Sequence, residues 1–220
     1  MKAMILAAGR GERMRPLSDT IPKPLLEVNS KPLIIYHLEK LAKNGFRDII
    51  INVAYLGDKI IDTLGDGSEF GLKITYSDER ESGALESAGG IKKALDFFED
   101  ETFLVLNADI WCDYEFLYDF ELAKDMLCHL ILVPNPQHNQ DGDFGLNGDI
   151  VLNSNDKTYT FAGIGYYNPN LFKDMSDKKM ALAPLLRDAI SKSKVSGEIY
   201  LGKWIDVGTP KRLYTLNKSI

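Results

Sequence analysis

Apolar residues along the chain alternate between unbroken runs and helical stripes. AMILAA (3–8), DIIINVA (48–54), TFLVLNAD (102–109) and CHLILVP (128–134) are runs of the kind found in strands covered on both faces, and LKITYS (72–77) reads as a further strand. Between the first two, Pro32 to Lys43 sets Leu33, Ile34, Leu38 and Leu41 on one helical stripe. Pro32 suits its first turn and Gly45 its stop. Shorter helices are expected over 58–64 and 90–98, and a longer one over 113–126. This alternation predicts an α/β fold: a mostly parallel sheet, helices on both faces, ligands beyond the carboxyl ends of the strands. Beyond residue 134 the pattern changes, with strands and turns over 143–167, a helix over 182–193, a strand region over 195–206 and a last helix from Thr209. The expected organisation is a single domain over 1–220, with a ligand-binding core (1–134) and an extension (135–220) that widens the sheet and covers the cleft.

Composition narrows the function classes. The 220 residues include 26 Lys+Arg and 32 Asp+Glu, a formal charge of −6, which argues against a nucleic-acid partner while leaving room for a local basic patch on phosphate. No apolar run approaches the ~20 residues of a membrane span. MKAMILAAG is too short for a signal peptide and stops at Gly9-Arg10-Gly11. Cys112 and Cys128 lack CxxC spacing and a histidine cluster, so neither a zinc site nor a disulfide framework is expected; two free thiols suit a reducing cytoplasm. His37, His129 and His138 are scattered and read as structural or exposed.

The first loop carries the candidate chemistry. Arg10, Arg13, Arg15 and Lys23 concentrate cations in an acidic chain, and Gly9 and Gly11 allow close backbone approach to a ligand. Polyphosphate suits that combination. The segment is neither a Walker A loop, which needs Gly-Lys-Ser/Thr, nor GxGxxG, because Met14 occupies the third glycine position. A solvated turn with surface arginines is the competing reading, but Pro22 and Pro24 hold Lys23 on a stiff segment that a solvated lysine does not require. Asp109, after FLVLN, and Asp206, in WIDVGTP, stand at two strand ends. Either alone also fits helix capping or turn chemistry. Together, beside a basic loop, they suit Mg²⁺, which takes one or two carboxylates plus substrate phosphates.

LAAGRGERMRPLS followed by PKPLLEV resembles the signature of the sugar-1-phosphate nucleotidyltransferases, and Asn107-Ala108-Asp109 and WIDVGTP match that family's two aspartate motifs in order. The chain departs from the usual NGD at Ala108, and from the usual E-T-G-G-G-I in Glu86-Ser87-Ala88-Gly89-Gly90-Ile91. The resemblance implies a Rossmann-like, doubly wound mixed sheet of the GT-A-like kind. It also implies a Mg²⁺-dependent reaction of a nucleoside triphosphate with a sugar 1-phosphate, Mn²⁺ being able to substitute. Ala8, Gly9, Gly11, Glu12, Arg13, Lys23, Glu86, Ser87 and Asn107 would contact the nucleotide. Arg13, Lys23 and Asp109 would be catalytic, Asp109 and Asp206 would hold the metal, and Asp143, Gly163 and Glu198 would face the sugar. The short chain and segments such as YLGDKI and VSGEIYLGKWIDVGT point to UTP and N-acetylmuramic acid 1-phosphate, in peptidoglycan recycling. Guanylyl or thymidylyl transfer to a hexose, mannose or heptose 1-phosphate is the alternative, and a non-catalytic nucleotide-sugar sensor a third. A cytoplasmic monomer or small homo-oligomer is expected.

Overall fold

A computed structural model describes residues 1–154, 156–176 and 178–219. The first part contains β1 (Ala3–Leu6), β2 (Glu27–Val28), β3 (Lys31–Pro32), α1 (Leu33–Lys43), β4 (Asp48–Val53), α2 (Gly57–Leu64), β5 (Lys73–Asp78), α3 (Glu86–Lys93), β6 (Phe103–Asn107), β7 (Ile110–Cys112) and β8 (Cys128–Val133). Then follow β9 (Phe144–Asn147), β10 (Ile150–Leu152), β11 (Thr158–Tyr167), α4 (Leu182–Ser191), β12 (Val195–Ile199), β13 (Trp204–Asp206) and α5 (Pro210–Ser219). Nine strands form one sheet in the order β5-β4-β1-β6-β11-β8-β12-β10-β9.

Side-chain alternation sorts the core onto two faces of that sheet. Ala3, Ile5, Ile49, Ile51, Leu104 and Leu106 pack with Ile34, Leu38 and Leu41 of α1 and with Ile60 and Leu64 of α2. Met4, Ile50 and Val105 share the opposite core with Ile91 of α3 and with Leu182, Leu186 and Ile190 of α4. Leu38 is fully buried, and truncating such a side chain to alanine costs about 2–5 kcal/mol.

Three expectations change. The sheet is the mixed one that the resemblance implies, not the mostly parallel one that the alternation alone predicts: β5, β4, β1 and β6 run parallel, but β11 inserts antiparallel between β6 and β8. Residues 113–126 form no helix. Tyr114 and Phe116 are buried while Glu115 is exposed, the Leu117 N–H donates to the Tyr166 hydroxyl at 2.7 Å, and Asp125 has φ +68°. Tertiary contacts thus hold this segment irregular, and it carries the chain beneath the sheet from β7 to β8. The helix expected over 90–98 starts earlier, as α3, and continues as a 3₁₀ turn over Leu95–Phe98. No helix among the described residues is long and apolar enough to cross a membrane.

Candidate active site

Beyond the carboxyl ends of β1, β4 and β6 lies a cavity of about 420 Å³. All nine residues expected to contact a nucleotide line it: Ala8, Gly9, Gly11, Glu12 and Arg13 from the first loop, Lys23 from the proline-flanked turn, Glu86 and Ser87 at the start of α3, and Asn107 at the end of β6. Gly11 is required where it stands. Its φ is +66°, and a Cβ there would lie 3.2 Å from the Cβ of Lys23. The Gly11 carbonyl accepts from Met14 N at 2.8 Å and from the Ser18 hydroxyl at 2.8 Å, which closes the loop. At Gly9, by contrast, a Cβ would meet nothing within 4 Å.

Lys23 is almost wholly buried and its ammonium donates to Asp109 Oδ2. Asp109 follows β6, and the chain continues directly into β7, which pairs antiparallel with β13 so that Ile110 faces Asp206. Val207 N donates to the Asp109 carbonyl at 2.8 Å. This ladder brings together two aspartates almost a hundred residues apart in sequence. Asp206 Oδ2 lies 3.2 Å from Arg212 Nη2 and 3.4 Å from His138 Nε2, whereas its Oδ1 is buried with no hydrogen-bond partner. Asp109 and Asp206 line one cavity, and the orphaned oxygen of Asp206 fits a hard divalent cation completed by substrate oxygens. No group of three or more His, Cys, Asp or Glu side chains that could hold a metal occurs among the described residues.

A second cavity of about 370 Å³ adjoins the first through Arg13, Asn107 and Asp109. Asp143, Gly163 and Asp206 line it. Asp143 Oδ2 accepts from Phe161 N at 2.8 Å, beside the register shift that bulges β11 between Phe161 and Gly165. Gly163 sits in that bulge at φ +74°, and a Cβ there would fall 2.6 Å from Asn107 Nδ2. Its first task is therefore to seat Asn107. Glu198 lines neither cavity; its carboxylate accepts from the Tyr114 hydroxyl at 2.9 Å, elsewhere along β12.

Sequence reading missed His138, which lines the second cavity beside Asp206, and Arg212, whose guanidinium reaches back from α5. It also missed Asn52, a lone polar residue in the apolar run of β4, which lines the first cavity. That solitary polarity was the available signal. Glu86 has φ +61°, unusual for a non-glycine residue and concentrated at functional sites. The Ser87 hydroxyl accepts from Leu182 N at 2.9 Å, and Met180 O takes the N–H groups of Ala88 and Gly89, so the start of α3 is tied to the segment before α4.

The model of one known family, described as Nucleotidyl transferase, matches residues 2–220. The chain belongs to that family. It is 49% identical to the N-acetylmuramate alpha-1-phosphate uridylyltransferase of Neisseria meningitidis serogroup B, over 97% of this chain and 95% of that one. It is 44% identical to the mannose-1-phosphate guanyltransferase of Yarrowia lipolytica, but over 56% of this chain and only 34% of that enzyme. The fold matches that of HddC from Yersinia pseudotuberculosis, solved with GMP-PN, at a TM-score of 0.78 and 22% identity over 99% of this chain and 98% of that one. The fold class and the family read from the motifs are thereby borne out. The two departures from the family pattern turn inward: Ala108 and Ala88 are buried, each packed in one of the two cores. A methyl group at either position adds to packing rather than projecting into solvent.

Proposed function

We propose that this nucleotidyl transferase moves the uridylyl group of UTP to N-acetylmuramic acid 1-phosphate, releasing pyrophosphate. The observation that supports the reaction class is the β7–β13 ladder, which pairs Asp206 with the residue after Asp109, so that both aspartates line the second cavity while Asp109 also lines the first with Lys23 and the glycine loop. The substrates follow from the Neisseria relative, similar across nearly the whole of both chains.

An oxygen of the sugar 1-phosphate attacks the α-phosphorus in line, a new P–O bond forms, and the bond to the bridging α–β oxygen breaks. Pyrophosphate leaves with that electron pair. The attacking phosphate is anionic near neutral pH, so the reaction needs no protein nucleophile and no general base. Positioning and charge neutralisation carry the catalysis. The backbone of Ala8, Gly9 and Gly11 holds the triphosphate, and Arg13, at the junction of the two cavities, neutralises the departing pyrophosphate. Lys23 can keep one donor on Asp109 and turn its other two to phosphate oxygens of both substrates. Glu12, Glu86, Ser87 and Asn107 border the nucleoside, while Asp143 and Gly163 border the sugar. Asp109 and Asp206 would hold Mg²⁺, or Mn²⁺ in its place, which supplies Lewis-acid charge neutralisation when bound. Action in the cytoplasm, in peptidoglycan recycling, as a monomer or small homo-oligomer belongs to the same proposal.

Guanylyl transfer to mannose 1-phosphate is the second reading, favoured by the Yarrowia relative. A matrix of UTP, GTP and dTTP against N-acetylmuramic acid, glucose, N-acetylglucosamine and mannose 1-phosphates, read by pyrophosphate release, separates the two. The highest kcat/KM is expected for UTP with the muramic substrate. A site that hydrogen-bonds the lactyl carboxylate leaves polar groups unpaired when the sugar lacks it. Equal or better turnover of glucose or mannose 1-phosphate would overturn the substrate assignment.

A further inference from the structure

Glu79 is fully buried just after β5, and its carboxylate is met by neutral donors. Oε1 accepts from Asn52 Nδ2 at 2.8 Å, and Oε2 accepts from Leu85 N at 2.8 Å. Asn52 in turn accepts, through Oδ1, from Ala7 N at 2.7 Å. One line of hydrogen bonds therefore runs from the end of β1, immediately before Ala8 and Gly9, to the segment that leads into Glu86 and Ser87. Helix α3 leaves a slot for it: a Cβ on Gly90 would fall 2.8 Å from both Asn52 Nδ2 and Glu79 Oε1.

We propose that Glu79 is a positioning residue for nucleotide binding, its carboxylate acting through Asn52 to hold the triphosphate loop and the 79–87 segment in register. The inference rests on the reading of Glu86 and Ser87 as groups that border the nucleoside. The polarity of the line makes the claim specific. Both of its ends are backbone N–H donors, so its two side chains must offer an acceptor at each end and one donor between them. A carboxylate at 79 with an amide at 52 satisfies all three bonds. Glu79→Gln adds a second amide and leaves two donors facing one another, whichever way either amide turns. Asn52→Asp leaves two acceptors facing one another. The pair Glu79→Gln with Asn52→Asp restores every bond with the central one reversed. Simple packing would not demand this order, since burying a carboxylate away from a cation is costly.

The test measures binding of UTP and of GTP by calorimetry, with Mg²⁺ and without sugar phosphate, for the wild type, both single variants and the double variant. Leaving one buried group unpaired should weaken UTP binding about tenfold in each single variant and narrow the UTP:GTP ratio. The double variant should recover to within about threefold of wild type, because the two substitutions share one network. Thermal unfolding of the same four proteins separates positioning from loss of fold. The proposal is overturned if the double variant binds no better than the two single losses combined. It is also overturned if Glu79→Gln lowers the melting temperature while UTP affinity and the UTP:GTP ratio stay unchanged. Failure of the wild type to turn over any sugar 1-phosphate would overturn the proposed function instead, and the binding comparison would still decide the role of Glu79.

Discussion

Gly163→Ala tests how the bulge in β11 serves the site. Two costs can be worked from the geometry. At φ +74° an L-residue is strained by about 1–2 kcal/mol. The new methyl would lie 2.6 Å from Asn107 Nδ2, 3.0 Å from its Cγ and 3.2 Å from its Cβ. Nδ2 and Cγ must swing out of the position they hold and Cβ, fixed to β6, must give by a few tenths of an ångström, so the overlap, most of it with Nδ2 and Cγ, adds about 1–3 kcal/mol of overpacking. The sum, roughly 2–5 kcal/mol, should appear as a fall in melting temperature of about 5–15 °C for a chain of this size. Asn107 also lines both cavities, so displacing its amide should lower kcat/KM at temperatures where the variant is fully folded. The decisive measurement is a double-mutant cycle with Asn107→Ala, which removes the two atoms nearest the new methyl. If Gly163 exists to seat Asn107, Gly163→Ala should cost about 1–2 kcal/mol less in the Asn107→Ala background, with only the φ strain and the Cβ contact left. Strict additivity in the unfolding free energies would refute the reasoning and return Gly163 to a direct role with the sugar.

Gly9→Ala should behave in the opposite way: a Cβ there meets open space, so the melting temperature should hold while KM for UTP rises, as titration with UTP will show. Asp109→Asn should still fold at 25 °C, though with a lower melting temperature, and should lower kcat on the order of 10³-fold, and chelation should abolish wild-type turnover until Mg²⁺ is returned; undiminished pyrophosphate release in the variant would remove Asp109 from the reaction. Burial lowers the pKa of His37 from 6.5 to about 4, so the unfolded chain binds the proton first and stability is lost as pH falls from 6.5 toward 4. Between pH 7.5 and 5 that linkage amounts to about 2 kcal/mol, and urea titrations should show His37→Leu losing that share of the acid sensitivity.

What the sequence shows depends on the range of the interaction involved. The strands β1, β4, β6 and β8 are legible because burial on both faces leaves continuous apolar runs, and α1 because one face alone is buried. Residues 113–126 mislead because Tyr114, Leu117, Tyr118 and Phe120 also fit a helical stripe. Their actual partners come from outside the segment: Phe120 stacks on Tyr166 with ring centroids 4.1 Å apart. The position of β11 is not legible either, since its pairing with β6 joins residues about sixty apart and nothing local encodes it. In the site, the glycine loop and the two aspartates stand out because their residue types are unusual for their local setting. His138 and Arg212 do not, because each acquires meaning only from contact with Asp206.

The two aspartates also explain why the separate two-stranded β7–β13 ribbon matters. A purely parallel core would end at Asp109 with one carboxylate and a buried lysine, a pair that already satisfies itself. The extension adds β13 along β7, and with it a second carboxylate held from behind by Arg212. In the proposed reaction the triphosphate approaches from the glycine loop and the sugar phosphate from the bulge of β11. Each brings negative charge to a point where Lys23 and Arg13 are the facing cations. Removing Asp109 leaves the Lys23 ammonium uncompensated in a largely buried position, which is costly, whereas removing Lys23 strands a carboxylate that is about a third exposed and costs less. Lys23→Met and Asp109→Asn are therefore expected to be non-additive in stability, the double variant recovering part of what each single one loses. Full additivity would mean that the two side chains act independently, and that the buried pair is not what sets the lysine toward its phosphates.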